Sequence, residues 1–194
     1  MHAAILPLLL GSSLLVELPI YVGVELDPVT LERVLAETDR LFQAGGIRFR
    51  FRPTPGELSS SPRVSIVVLP RPEKAVVSGC SRNLHDHRLG HTHLGARRVT
   101  LWTEQVARAV EGSWDRKDPP RVDEAVLATA LGRVLAHELG HLFLRLNGHR
   151  ENGLMKQSFS HRALVGKSDR AFRLSEEDLE RVRAAITRLQ AAND

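Results

Sequence analysis

Apolar residues along the chain follow two different spacings, which separate predicted strands from predicted helices. Apolar and polar positions alternate in residues 18–26 and 47–52, as expected for strands with one buried face. Residues 64–69 are apolar almost without interruption, which predicts a central strand, and residues 99–102 predict a short one. A Pro, Ser and Gly loop at residues 53–62 separates two of these strands.

Three helices are predicted between and after these strands. Asp27 and Pro28 begin the first one as N-cap and first helical residue, and its buried stripe comprises Leu31, Val34, Leu35, Thr38, Leu41 and Phe42. A long, largely buried helix includes Leu127, Ala130, Leu131, Val134, Leu135, Leu139, Leu142 and Phe143. Ser175 caps the last helix, whose packing face comprises Leu179, Val182, Ala185, Ile186 and Leu189. This order predicts an α+β fold, a mixed twisted β-sheet with packed helices.

Length and composition are typical of one compact domain. With 194 residues, of which 42% are hydrophobic, the chain can bury a core without disulfides. We assign residues 19–194 to that domain and residues 1–18 to a leader or an apolar arm. Residues 5–16 have the length of a signal-peptide core, but no basic start or A-x-A cleavage site accompanies them, so a packed first element is the alternative. Export to the periplasm, the cell envelope or the medium is the favoured prediction, because an apolar arm would otherwise be exposed; a cytoplasmic location is the alternative.

Charge and cysteine content exclude several functions. The net charge of +4 comes mostly from scattered arginines, and only 5% of residues are aromatic, so no nucleic-acid partner is expected. A basic surface favours acidic peptides, or peripheral association with an anionic membrane or cell envelope. Cys80 is the single cysteine, which excludes an intramolecular disulfide and a C-x-x-C site; we expect a loop thiol.

The chemistry of the chain is indicated by His137, Glu138 and His141, which form an H-E-x-x-H motif late in the long helix. Residues four apart lie on one helix face, so both imidazoles can bind one zinc ion. Two histidines and a carboxylate on a buried helix would be costly to desolvate without such a partner. Glu138 projects at a different angle, which suits a general base more than a ligand.

A catalytic zinc site usually has three protein ligands, and His149 is the favoured third one. If the helix continued, His149 would lie about 12 Å along the axis from His141, so the chain must turn back. Asn147 and Gly148 tolerate the left-handed conformation that ends a helix, and we predict the turn there. The alternative is an ordinary helix end followed by a surface histidine. Other candidate donors are Asn147, Glu151, His161, Glu176 and Glu177.

The segment HELGHLFLRLNGHRENGLM resembles the zinc-binding region of the metzincin metallopeptidases, H-E-x-x-H-x-x-G-x-x-H followed by a methionine turn. The family pattern would have Gly at Leu144 and His at Asn147, whereas this chain has them later, at Gly148 and His149. The segment is also similar to small, uncharacterised bacterial proteins of predicted metallopeptidase type with the same lengthened spacing. The resemblance implies a metzincin-like fold and a peptidase, with Met155 as the turn methionine.

A histidine-rich patch precedes the motif: His85, Asp86, His87, His91 and His93. Its spacing fits no defined ligand set, so we favour loop or edge-strand residues near the cleft over a second metal site. By analogy with the resembled family, residues 93–101 are expected to line a substrate groove. Tyr21, the single tyrosine, is far from the motif in sequence, so no oxyanion donor is assigned.

These features together predict a zinc-dependent metalloendopeptidase acting on a peptide or protein substrate, with Zn²⁺ held by His137, His141 and His149. Glu138 would be the general base that accepts a proton from a zinc-activated water. The alternative hypothesis is a non-catalytic zinc-binding protein that uses the same fold to bind a peptide or protein partner. Glu138 argues against it, because a structural zinc site has four protein ligands and needs no base.

Overall fold

The computed structural model describes residues 13–22, 26–53, 64–71 and 88–191. The strands are β1 (Leu14–Val22), β2 (Ile47–Pro53), β3 (Ser65–Leu69), β4 (Gly90–His93) and β5 (Arg98–Trp102). The helices are α1 (Pro28–Gln43), α2 (Thr103–Glu111), α3 (Glu124–Leu144), α4 (His161–Val165) and α5 (Glu176–Ala191), with a 3-10 helix at Arg170–Phe172. Within these ranges, no helix combines the length and the apolar character needed to cross a membrane.

The five strands form one mixed sheet in the order β2-β1-β3-β5-β4. Neighbours from β2 to β5 run parallel, and β4 pairs antiparallel with β5 at one edge. The predicted fold class, a mixed sheet with packed helices and a long helix carrying the motif, is therefore confirmed.

Strand β1 begins earlier than predicted. Its parallel pairing with β2 starts at Leu14 opposite Ile47, so residues 14–18 belong to the sheet. The predicted alternation is kept, since Val16, Leu18 and Ile20 are buried. Residues 1–12 lie outside the described residues, and the leader, the arm and export stay predictions.

One face of the sheet is covered by α1 and α3. Asp27 caps α1 as predicted, accepting hydrogen bonds from the backbone N–H groups of Val29 and Thr30. Helix α3 approaches α1 closely at Gly132, where a Cβ would lie only 2.7 Å from the Val34 carbonyl oxygen. The Thr38 hydroxyl of α1 donates to the Gly132 carbonyl across this contact, at 3.0 Å. Helix α3 therefore has a fixed position over the sheet.

Helix α3 is buried on all sides over its second half, as its apolar sequence predicts. Within it, Arg133 is 2% exposed: it donates to the Glu37 carboxylate and to the carbonyls of Ala163 and Leu164, and it lies over the Phe172 ring. This arginine ties α1, α4 and the 3-10 helix to α3, four residues before His137.

Helix α2 was not predicted from the sequence. It is nine residues long and presents a short buried face of Val106, Ala107 and Val110 before ending at Gly112, which has φ 69°. A run this short carries a weak periodic signal and follows directly on β5, so the pattern of apolar residues did not separate the two.

Candidate metal centre and cleft

The side chains of His137, His141 and His149 converge on one point. The Nε2 atom of His141 lies 3.0 Å from Nε2 of His137 and 3.3 Å from Nε2 of His149. One ring nitrogen from each residue falls within 4.8 Å of the others, so the three could hold a metal ion. The two helical histidines are one turn apart on α3, which places both rings on one face.

The opposite ring nitrogens of the helical histidines are held by backbone carbonyls. His137 Nδ1 lies 2.6 Å from the Leu154 oxygen, and His141 Nδ1 lies 2.9 Å from the Leu146 oxygen. Because a carbonyl oxygen only accepts, each Nδ1 carries the proton and donates it. The lone pair of each Nε2 then faces the shared point, as in histidines that bind metals.

Burial favours the neutral form of these imidazoles. It lowers the pKa of His137 to about 4, although the bond to the Leu154 carbonyl acts in the opposite direction. Burial is also the main cause that lowers the pKa of His141 and of His149. Neutral imidazole is the form that coordinates metals, so burial favours the form that would bind an ion.

His149 reaches the cluster because α3 ends early and the chain turns back. The left-handed residue is Arg145, with φ 52°, and its N–H bonds to the His141 carbonyl. The prediction that Asn147 and Gly148 make this turn is therefore wrong. The Arg145 N–H already provides a hydrogen bond to a carbonyl of the last helical turn, three residues before Gly148.

The residue after His149 anchors the loop to the rest of the protein. The Arg150 backbone N–H donates to the Met155 carbonyl at 2.7 Å. Its guanidinium donates to the Asp178 carboxylate of α5 at 3.0 Å, and Asp178 is buried. Backbone and side chain of Arg150 together hold the loop that presents His149.

Leu154 and Met155, each 1% exposed, pack beside the turn of α3 that carries the two helical histidines. Met155 lies directly under Gly140, where a Cβ would overlap with the Met155 sulfur. Gly153, just before these residues, has φ 74°, and a Cβ there would overlap the Arg173 carbonyl. The small residue in α3 therefore permits the close contact between the helix and the methionine.

Four of the other candidate donors are divided between two cavities. His161 and Asn147 line the same cavity as the cluster, while Glu151 and Glu177 line a separate cavity of about 540 Å³ with Leu154 and Met155. Among the His, Cys, Asp and Glu side chains of the described residues, only His137, His141 and His149 form a possible metal-binding group. Glu176 is thus not a member of it.

Glu138 is buried, 7% exposed, and faces strand β4. The Thr92 hydroxyl lies 2.6 Å from its Oε2 atom and 2.8 Å from its backbone oxygen. Burial raises the pKa of Glu138 to about 7, against the opposing effects of the Thr92 hydroxyl and the Arg88 charge. Sequence analysis missed Thr92; its one available signal was its place between His91 and His93 in the predicted edge region.

The cluster and Glu138 open into a cleft of about 1030 Å³. Strand β4 contributes Gly90, His91 and Thr92 to one side, so an edge strand does lie beside the cleft. The expectation that residues 93–101 line the groove is wrong, because none of them is among the described cleft residues and β5 lies inside the sheet. The remaining walls come from Ala109, Trp114, Val134, Leu146, Gln157, Ser158 and Phe159. Phe159 packs edge-on against the His137 ring, with centroids 5.5 Å apart.

The rest of the histidine patch divides between two locations. His91 lines the cleft, and His93 accepts a hydrogen bond from the Ala96 backbone through Nδ1. Residues 85–87 and Cys80 lie outside the described residues. Tyr21 belongs to β1 and is not among the cleft residues described. In the described part of the chain, neither His91 nor His93 joins a metal-binding group.

Comparison with known proteins identifies the fold. No protein-family profile matches the sequence, and no curated protein matches it. The structure is similar to archaemetzincin from Methanopyrus kandleri, with 16% identity and a TM-score of 0.52 over 91% of this chain and 97% of that one. It is also similar to a zinc-dependent peptidase from Methanocorpusculum labreanum, with 12% identity and a TM-score of 0.47 over 87% and 99% of the two chains. The α+β fold of this chain is therefore shared with the archaemetzincin.

Proposed function

We propose that this protein is a zinc-dependent peptidase whose metal is held by His137, His141 and His149. The observation that carries the proposal is the convergence of three imidazole nitrogens in a cleft that also contains the carboxylate of Glu138. Imidazole nitrogens suit zinc, and three protein ligands leave a position open, as catalytic zinc sites do. The fold likeness to an archaemetzincin supports this choice.

Within this proposal the residues around the metal have separate roles. Zinc, when bound, would polarise the scissile carbonyl and lower the pKa of a water molecule. Glu138 accepts the proton from that water as its oxygen bonds to the carbonyl carbon. It then gives the proton to the leaving nitrogen as the C–N bond breaks. The carbonyls of Leu154 and Leu146 keep the two helical imidazoles oriented throughout.

We further propose that the enzyme cleaves within peptides. Strand β4 is the last strand of the sheet among the described residues, so its outer edge offers backbone N–H and C=O groups along the cleft. An extended peptide can pair with such an edge without using its own termini. This arrangement favours an endopeptidase over an enzyme that recognises a chain end.

The test combines metal analysis with peptides that are acetylated at the N-terminus and amidated at the C-terminus. We expect about one zinc per chain and cleavage of some members of a blocked peptide library. Glu138→Gln should lower kcat by about 10²–10⁴-fold, the usual contribution of a general base, while zinc is retained. Glu124→Gln, the same change at the exposed start of α3, is the control and should leave kcat unchanged.

Three results would contradict the proposal. Full activity in Glu138→Gln would remove Glu138 from the mechanism, and cleavage of unblocked peptides alone would indicate an exopeptidase. Stoichiometric zinc without hydrolysis of any peptide would favour the non-catalytic zinc-binding protein.

A further inference from the structure

We propose that Thr92 is a positioning residue that holds one oxygen of the Glu138 carboxylate and leaves the other for proton transfer. This inference rests on the proposed peptidase function for its kinetic consequence and on the structure alone for its geometry. Thr92 makes two hydrogen-bond contacts with Glu138, at 2.6 Å to Oε2 and 2.8 Å to the backbone oxygen.

Two residues of strand β4 lie against this carboxylate. Thr92 and Gly90 are two residues apart in a strand, so they share one face, and that face is turned to Glu138. A Cβ on Gly90 would lie 3.0 Å from Glu138 Cγ, 3.1 Å from Oε1 and 2.9 Å from the Thr100 carbonyl. Thr92 therefore occupies the Oε2 side, and the missing side chain of Gly90 keeps space on the Oε1 side.

The hydroxyl restrains the side chain because it lies within hydrogen-bond distance of both ends of one residue. A contact to the backbone oxygen and a contact to Oε2 together limit the rotations of the three bonds between them. A hydroxyl has one proton, which it donates to Oε2 of the ionised carboxylate; when Oε2 is itself protonated, the hydroxyl accepts from Oε2 and donates to the backbone oxygen. Oε2 thus has Thr92 as its hydrogen-bond partner whether Thr92 donates or accepts. Oε1 is the oxygen assigned to proton transfer in the cleft.

A purely structural link between a strand and α3 is the competing explanation, and the chain provides a matched control for it. Thr38 also donates its hydroxyl to an α3 carbonyl, that of Gly132, and is fully buried. It makes no contact with Glu138 among those described. Thr38→Val and Thr92→Val therefore both remove a hydroxyl that bonds to α3, but only Thr92→Val releases the carboxylate.

The experiment compares zinc-loaded Thr92→Val, Thr92→Ser and Thr38→Val with the wild type. We expect Thr92→Val to lower kcat by about 10–100-fold, the range for partners that orient functional groups, with KM and zinc content unchanged. Thr92→Ser should restore kcat, because it keeps the hydroxyl. Thr38→Val should lower the melting temperature without lowering kcat. Equal kcat in the two valine variants, or no recovery in Thr92→Ser, would overturn the proposal.

Crystal structures of zinc-loaded Thr92→Val and Thr92→Ser test the geometry even if no peptide is cleaved. We expect the Glu138 carboxylate to rotate away from its wild-type position in Thr92→Val and to keep it in Thr92→Ser. An unchanged carboxylate in Thr92→Val would overturn the proposal. Absence of peptide cleavage in the wild type would instead contradict the peptidase function, so the two failures are distinguishable.

Discussion

Helix α3 and the loop of residues 145–156 bring histidines to the same point by different means. His137 and His141 are buried on α3, and the helical backbone alone sets their separation. His149 is exposed, and its position depends on the left-handed turn at Arg145 and on the bonds of Arg150 to Met155 and Asp178. The placement of two of the three candidate ligands is therefore local in origin, and that of the third rests on contacts outside the helix.

The largest expected effect is loss of a histidine. His141→Ala leaves donors on two separate elements, whereas His149→Ala leaves two donors on one rigid helix. Both should weaken zinc binding by more than the roughly 10–100-fold that follows removal of an orienting partner, and His141→Ala should weaken it more. Competition with a chelator measures the affinities. Stoichiometric, tight zinc in His149→Ala would remove His149 from the ligand set.

The next largest effect is expected at the contact between helix and loop. Gly140→Ala places a Cβ into the Met155 sulfur, which should lower the free energy of unfolding by about 1–3 kcal/mol and also weaken zinc binding. Gly132→Ala is the matched control, because it overpacks α3 against α1 instead, near Val34 and Glu37. Urea unfolding and chelator competition measure both quantities. Equal zinc affinity in the two variants would contradict the role assigned to the Met155 contact.

A smaller effect is expected at the anchor of the loop. Asp178→Asn removes the charge that pairs with Arg150, so His149 should be held less firmly and zinc affinity should fall about tenfold, the low end for orienting partners. Asp169→Asn is the control, because Asp169 pairs with Arg40 and Arg173 and has no described contact with the loop. Isothermal titration calorimetry measures the zinc affinity of both variants. A fall of equal size in both variants would indicate a general charge effect.

The smallest effect is expected for Met155→Leu, which changes the shape of the side chain packed under Gly140 at nearly constant volume. Such exchanges usually cost less than about 1.5 kcal/mol of stability, and zinc should be retained because no ligand moves. Thermal unfolding with and without zinc measures this. Loss of zinc in Met155→Leu would show that the thioether does more than fill space.

Several elements could be predicted from the local sequence pattern, and the predictions that were wrong have physical causes. The cap at Asp27, the buried length of α3 and the cap at Ser175 were predicted because each depends on neighbouring residues. The start of β1 was not, because pairing with β2 extends it to Leu14. The left-handed residue was misplaced because Arg145, a residue with no intrinsic preference for that conformation, takes it in this structure.

The sequence by itself determined the relative placement of His137 and His141, two of the three candidate ligands, because a spacing of four residues on a helix has one geometry. It also determined the α+β class, through the alternation of apolar positions. Only the tertiary structure decided that His149 meets His137 and His141, that Met155 lies under Gly140, and that Thr92 faces Glu138. Those contacts join residues from separate elements, and their distances follow from packing of α3 on the sheet and on α5, which no local pattern encodes.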